Sequence, residues 1–106
     1  MGNLTLNEYQ NKAVTTAIYD QKHAILYPAL GLAGEAGEVA NKVKKILRDG
    51  KFDREDLAAE VADCLWYIAV LARDLNVNLE DLAQANLDKL KDRKERGVLG
   101  GSGDVR

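Results

Sequence analysis

The stretch VADCLWYIAVLA, residues 61–72, is the most apolar part of the chain, and Asp63 is its only charged residue. Its apolar residues fill one face at helical spacing and much of the opposite face as well. A helix that is apolar on nearly all sides is buried on most of them. A carboxylate there is costly unless it is paired, hydrogen-bonded or bound to a metal. Asp63 is therefore a candidate site residue, the alternative being a core aspartate that pairs with an arginine or caps a neighbouring helix.

Asp63 belongs to one of two acidic pairs with the same spacing. The pairs are Glu35 and Glu38 in GLAGEAGEVANKVKK, and Glu60 and Asp63 in AAEVADCLWYIAVLA. Three residues advance an α-helix by about 300°, so each pair directs its carboxylates along one stripe, although solvated helix faces carry such pairs too. Two such helices face to face would bring four like charges together, which is unstable without a cation. Oxygen ligands suit hard cations, so the sequence predicts Mg²⁺ as cofactor, with Mn²⁺ as a substitute.

The composition of the 106 residues favours a single all-helical domain spanning residues 1–106, because Ala and aliphatic residues are plentiful and there is one proline. A net charge of −2 gives no electrostatic reason to expect binding to nucleic acid or to an anionic membrane. One cysteine, Cys64, excludes an internal disulfide framework, and no apolar run is long enough to span a membrane. We therefore expect a cytoplasmic protein.

Capping signals divide the chain into four predicted helices. The capping box of Thr5 and Glu8 opens the first helix, Asp53 and Asn78 cap the third and fourth, and Asp49-Gly50 ends the second. Short connections predict an antiparallel four-helix bundle. The Gly-rich segment 97–106 is predicted to be a flexible tail. The predicted helices run from Thr5 to about Lys22, from near Pro28 to Asp49, from Asp53 to about Leu75, and from Asn78 to Gly97.

The third predicted helix is apolar on more sides than three neighbours in one small chain can cover. Its core face is predicted to carry Val61, Leu65 and Leu75, among others. The opposite side is expected to meet another subunit, giving an obligate homodimer or a homotetramer built from two dimers. The residues expected at this interface are Ala62, Trp66, Ala69 and Val70.

Three glycines recur every three residues in the second predicted helix, at Gly31, Gly34 and Gly37. Each costs a helix interior roughly 1 kcal/mol relative to alanine. Close approach of another backbone or of a ligand is the usual reason for such a cost, so we expect close packing beside the first acidic pair. The alternative is an irregular first turn that merely tolerates them.

The segment GLAGEAGEVANKVKK followed by EVADCLWYIAVLA closely resembles the MazG-like, all-α nucleoside triphosphate pyrophosphohydrolases. Their signature of E-x-x-E, a spacer and E-x-x-D is met by Glu35, Glu38, Glu60 and Asp63. The resemblance implies Mg²⁺-dependent hydrolysis of (deoxy)nucleoside triphosphates between the α- and β-phosphates, in nucleotide-pool housecleaning. One departure is Ala36, since many members carry further acids near the first glutamate, and it leaves the number of metal ions open.

The resemblance and the helical spacing together suggest substrate-binding residues. Asn86, Lys89 and Arg93 share a polar stripe of the fourth helix and are candidates for contacts with the phosphates; a solvated basic face is the alternative. Tyr67 follows Asp63 by one turn, so its ring is expected either to stack on the base or sugar or to fill the core. Glu38 is the candidate general base.

Further residues leave alternatives open. Lys42 follows Glu38 by four residues, which favours either an ordinary helix ion pair or a phosphate contact. Asp104 and Arg106 resemble the family's terminal G-D-x-R and are expected to close over substrate. The competing function is an inactive or regulatory helical module that binds metal or nucleotide without consuming it.

Overall fold

The computed structural model describes residues 2–97, and within them it contains four α-helices and no strand. The all-helical prediction is confirmed. None of these helices is long and apolar enough to cross a membrane. The helices are α1 (Leu6–Val14), α2 (Leu26–Asp49), α3 (Arg54–Asp74) and α4 (Leu79–Glu95), with a short 3₁₀-helix at Gln21–His23.

The predicted capping residues set the helix termini. The Thr5 hydroxyl accepts a hydrogen bond from the Glu8 N–H, and the Glu8 carboxylate accepts one from the Thr5 N–H, which completes the capping box. The side chains of Asp53 and Asn78 cap α3 and α4 by accepting from the N–H groups of Asp56 and Asp81. Gly50 ends α2 in the left-handed region, with φ of 71°, as its sequence position predicts.

Helix α1 is shorter than predicted, because it ends at Val14 and not near Lys22. The Thr15 and Thr16 hydroxyls donate to the carbonyls of Lys12 and Ala13, at 2.6 and 2.7 Å. Threonine side chains that bond to nearby backbone in this way compete with continuation of a helix. The apolar spacing beyond Val14 suggested a helix that the two threonines interrupt.

Helix α3 is the centre of the fold. Helix α2 packs almost entirely on α3, whereas α1 packs on both α3 and α4. The connection between α2 and α3 is only residues 50–53, so these two helices run antiparallel side by side. The helices that carry the acidic pairs are therefore direct neighbours, in an arrangement more open than a closed four-helix bundle.

The structure corrects part of the predicted division of α3 into a core face and an interface face. Ala69 and Val70, expected at a subunit interface, are fully buried within the chain. Trp66 is half-buried and donates from Nε1 to Thr16 Oγ1 at 2.8 Å. Among the positions predicted as core, Val61 and Leu75 are exposed, at 53% and 51%. Because both faces of this helix are apolar, its sequence pattern did not reveal which face α1 covers.

Two buried polar groups hold α1 and the connection to α2 in place. The Gln10 amide donates to the carbonyls of Ala69 and Val77 and accepts from the Leu79 N–H, so its hydrogen-bonding groups are satisfied. The Asp74 carboxylate accepts from the Tyr19 hydroxyl and from the Ile25 N–H, and pairs with the adjacent Arg73.

Ile25 lies in an uncommon backbone conformation at the start of α2. Its φ is 70° and its ψ is −54°, and the Leu26 N–H donates to the Ala24 carbonyl at 2.8 Å. This three-residue turn is strained for a β-branched residue. The bond from the Ile25 N–H to Asp74 anchors it, so α2 enters the fold at an angle fixed by α3.

Candidate metal centre

Three of the four predicted carboxylates meet between α2 and α3. Glu35 of α2 and Glu60 and Asp63 of α3 each offer one oxygen, and these oxygens lie within 4.8 Å of one another. Glu35 and Glu60 are half-buried and Asp63 is exposed, so the group borders solvent. The antiparallel packing of α2 on α3 therefore places three negative charges in one small volume.

The electrostatics of Glu35 reflect this crowding. Partial burial raises the pKa of Glu35, and a hydrogen bond with Glu60 and the negative charges of Asp63, Glu60 and Glu38 raise it further. Each cause disfavours the ionised carboxylate. The group is therefore stabilised by a proton or by a cation.

Glu38 lies outside this three-carboxylate group. Its side chain is exposed one turn after Glu35, and its charge still acts on the Glu35 carboxyl. Within residues 2–97 the structure brings together three acids and not the predicted four. Its assignment as a metal ligand and general base stays a prediction.

Lys42 is the cation that lies beside the group. Its Nζ is 2.8 Å from Asp56 Oδ2 and 4.0 Å from Glu60 Oε1. The hydrogen bond to Asp56 raises the pKa of Lys42, with smaller contributions from the charges of Glu60 and Glu38, although partial burial opposes them. The ion pair thus joins α2 to α3 and is not the pair with Glu38 expected within α2.

Two tyrosines border the carboxylates. The Tyr67 ring packs over Gly31 of α2 and meets the Trp66 ring edge-on at 4.9 Å. Burial raises the pKa of Tyr67, as do Tyr27, Glu35 and Asp63 through their charges. The sequence identified Tyr67 as a neighbour of the acids, and its packing on α2 shows that much of the ring fills space between helices.

The second tyrosine is Tyr9 of α1, which sequence reasoning missed as a neighbour of the site. Burial raises the pKa of Tyr9, and the charge of Asp63 raises it further. Sequence spacing placed Tyr9 only on the apolar stripe of α1. Its proximity to Asp63 depends on how α1 crosses α3, for which the local sequence carries no signal.

Two of the candidate phosphate-binding residues of α4 line a cavity that contains none of the three acids. Asn86 and Lys89 line this open cavity of about 480 Å³ with Leu82, Ala83 and Ala85. Their contact with the phosphates stays a prediction.

Arg93 is the most enclosed member of the predicted stripe. Its side chain is 8% exposed, and neither Nε nor Nη2 has a hydrogen-bond partner. A buried guanidinium with free donors is suited to an anionic partner. Asp104 and Arg106, which the sequence associated with substrate, lie outside the described residues.

The donor set of the group fits a hard divalent cation. All three side chains are carboxylates, with no nitrogen or sulfur ligand among them. Oxygen-only sites of this kind suit Mg²⁺ or Mn²⁺ better than the metals that prefer imidazole or thiolate. The crowded negative charge supplies the electrostatic reason for such an ion to bind.

Comparison with known proteins finds a match to the segment of the chain that carries these acids. Residues 21–98 match the sequence profile of the MazG nucleotide pyrophosphohydrolase domain, a segment that contains all four predicted acids. The chain is 50% identical over 109 aligned residues to the Gene 37 protein of Mycobacterium phage L5, covering 92% of this chain and 96% of that protein. The name of that relative states no activity. No solved structure matches the chain significantly.

Proposed function

The chain belongs to the MazG nucleotide pyrophosphohydrolase family, and we propose that it hydrolyses (deoxy)nucleoside triphosphates to a nucleoside monophosphate and pyrophosphate in an Mg²⁺-dependent reaction. The observation that carries this proposal is the convergence of Glu35, Glu60 and Asp63 between α2 and α3. Family membership supplies the substrate class, and the carboxylates supply a place for a cation that a polyphosphate requires. The proposed cellular role is nucleotide-pool housecleaning in the cytoplasm.

The three-carboxylate group is the proposed binding site of the cation, with Glu38 as the predicted fourth ligand. Mg²⁺ bound there would neutralise triphosphate charge, orient the phosphates and lower the pKa of a water. Lys42 keeps the Glu60 carboxylate close to α2 through its bond to Asp56. The proposed ligands of the cation thus come from two helices, which the Lys42–Asp56 ion pair joins beside the site.

Other side chains have proposed roles in binding and proton transfer. Glu38, which is exposed one turn from Glu35, is the proposed acceptor of a proton from the attacking water. The Tyr67 phenol, whose pKa is raised by burial and by nearby negative charges, is the proposed hydrogen-bond donor beside the carboxylates. Asn86, Lys89 and Arg93 are proposed to bind the phosphates.

The proposed site is formed by more than one copy of the chain. Among residues 2–97 no ion pair joins Lys89 to the carboxylates, and large apolar side chains are exposed on α3 and α4. We propose a homodimer or a homotetramer in which one subunit brings its α4 stripe toward the carboxylates of its partner. The exposed apolar residues are Val61, Leu65 and Leu75 on α3 and Leu82, Leu87 and Leu90 on α4.

A panel of the ribo- and deoxyribonucleoside triphosphates, assayed with and without Mg²⁺, tests the proposed function. The products are separated by anion exchange. The proposal predicts monophosphate and pyrophosphate in equal amounts, only with the divalent cation. Formation of a nucleoside diphosphate and orthophosphate contradicts the proposed cleavage between the α- and β-phosphates. A protein that binds triphosphates but hydrolyses none of them supports the alternative of a regulatory module.

A further inference from the structure

Gly31 and Tyr67 meet at the closest approach that the structure shows for a glycine of α2. A Cβ atom built on Gly31 would lie within 2.6 Å of three carbons of the Tyr67 ring, closer than real side chains allow. The ring therefore occupies the space that any larger residue at position 31 would need. A Cβ atom built on Gly34 or Gly37 would have no such neighbour within 4 Å.

The position of this contact along the helices connects it to the carboxylates. Gly31 precedes Glu35 by four residues in α2, and Tyr67 follows Asp63 by four residues in α3. Four residues advance a helix by about 6 Å, slightly more than one turn. Because α2 and α3 run antiparallel, Gly31 and Tyr67 lie on the same side of the three-carboxylate group.

We propose that Gly31 and Tyr67 are positioning residues of the carboxylate site. The packing of the Tyr67 ring on the backbone of Gly31 fixes the separation of α2 and α3. The inference rests on the proposed function in one respect, since the site that is positioned is the proposed Mg²⁺ site. On the far side of that site the Lys42–Asp56 ion pair joins the same two helices. The carboxylates thus lie between a packed contact and an ion pair.

The packing around Tyr67 limits how a larger residue at position 31 can be accommodated. The Tyr67 ring also meets the Trp66 ring edge-on, and Trp66 Nε1 donates a hydrogen bond to Thr16. A methyl group at position 31 must displace the Tyr67 ring or push α2 away from α3. Movement of α2 changes the distance between Glu35 and the two acids of α3, and displacement of the ring removes the contact proposed to set that distance.

The test compares Gly31→Ala with Gly34→Ala, which makes the same change one turn away in open space. Mg²⁺ affinity is measured by isothermal titration calorimetry, with helix content and melting temperature of the metal-free protein as separate readouts. Changes in residues that orient ligands typically cost ten- to a hundredfold in metal affinity. We expect a loss of roughly that size for Gly31→Ala, and unchanged affinity for Gly34→Ala.

A double variant distinguishes positioning from a general loss of structure. In the Tyr67→Ala background the ring is absent, so adding Gly31→Ala should weaken Mg²⁺ binding no further. If Gly31→Ala alone does not fold, the double variant provides the test. A double variant that regains wild-type helix content and binds Mg²⁺ more weakly than wild type supports the proposal. A double variant that does not regain helix content overturns it.

The outcomes separate this inference from the proposed function. Equal Mg²⁺ affinities for Gly31→Ala and Gly34→Ala overturn the positioning role while leaving the function in place. Additive losses in the double variant overturn it too. A wild-type protein that binds Mg²⁺ but cleaves no triphosphate overturns the proposed function and leaves the positioning role standing.

Discussion

Glu35 of α2 and Glu60 of α3 place a carboxylate oxygen each within 4.8 Å of the other, across the boundary between two separate helices. Asp63 joins them at the same spacing, and Lys42, 4.0 Å from Glu60, is the cation paired with an acid of this group. The carboxylates of Glu35 and Glu60 repel each other at this distance when both are ionised, so the fold tolerates electrostatic repulsion at this site. The cation proposed for this site would offset the repulsion.

Glu35→Gln tests that repulsion without metal. Partial burial, the bond with Glu60 and nearby negative charges raise the pKa of Glu35, so the folded state binds a proton more tightly than the unfolded state. The stability that the protonated Glu35 carboxyl contributes is present below the ordinary pKa of glutamate and is lost as pH rises through the raised pKa. We therefore expect Glu35→Gln to melt at a higher temperature than wild type at pH 7 in chelator.

The melting temperatures of the same two proteins at acid pH are the control for this experiment. Below the ordinary pKa of glutamate, position 35 is uncharged in both proteins, so their melting temperatures should converge. Added Mg²⁺ should stabilise wild type more than the glutamine variant. A glutamine variant that melts lower than wild type at pH 7 in chelator would show that the crowding is not destabilising.

Asp74 gives the opposite dependence on pH. Burial alone would raise the pKa of Asp74, but the Ile25 N–H, the Tyr19 hydroxyl and Arg73 outweigh it, and the pKa is lowered from 3.8. The stability from this carboxylate is present above the ordinary aspartate pKa and is lost as pH falls through the lowered value. Asp74→Asn should cost about 1.5–3 kcal/mol in urea unfolding at pH 7, and less in acid.

The control for this change is Asp92→Asn. Asp92 pairs with Arg96 at 2.8 Å, but its side chain is 61% exposed. Exposed pairs contribute about 0–1 kcal/mol, so this variant should remain close to wild type at each pH. Equal losses for the two variants would remove Asp74 as the anchor of the connection to α2.

Lys89→Ala tests the α4 stripe under the proposed function. Loss of one charge-assisted hydrogen bond to phosphate costs about 1.5–3 kcal/mol, which corresponds to about ten- to more than a hundredfold in kcat/KM. The melting temperature should hardly change, because Lys89 is exposed and has no ion pair among the described residues.

Lys91→Ala is the matched control, since it removes the same charge two residues along α4 on a different exposed face. Arg73 of α3 is unsuitable as a control because its guanidinium donates hydrogen bonds to Asp74 and Tyr19. Identical kinetics for the two lysine variants would show that the stripe is a solvated face.

Leu65→Lys tests the proposed assembly through the exposed apolar face of α3. Leu65 is 38% exposed, and a charge there should be tolerated in a free chain but not in a subunit interface. Light scattering should find wild type as a dimer or tetramer and the variant as a smaller species with retained helix content. Lys22→Glu, on the exposed 3₁₀-helix, should leave the assembly intact. A monomeric wild type at micromolar concentration contradicts the proposal.

Local signals in the sequence predicted the starts of α1, α3 and α4 and the end of α2 well. The capping box at Thr5, the caps at Asp53 and Asn78, and the glycine after Asp49 each act within a few residues. The acidic pairs were equally readable, because helical spacing fixes which side chains share a stripe. Neither inference needed knowledge of the rest of the fold.

The sequence failed where tertiary packing decides between equivalent local choices. Val61 and Ala69 lie on two apolar faces of α3, and only the placement of α1 determines that Ala69 is buried and Val61 exposed. Glu38 shares a helical stripe with Glu35 but is not among the three acids that converge, and its predicted role stays a prediction. The close contact predicted for the glycines was found at Gly31 alone among the three, since only there does an aromatic ring approach.

Pyrophosphate release by Asp63→Asn at saturating Mg²⁺ and triphosphate tests the central claim most directly. Asp63 is exposed and contributes one oxygen to the three-carboxylate group, so asparagine preserves the shape and removes the charge. The account predicts that release falls to the level without enzyme, while Asp92→Asn keeps the wild-type rate and both variants retain wild-type helix content. Turnover by Asp63→Asn at the rate of wild type would contradict the account.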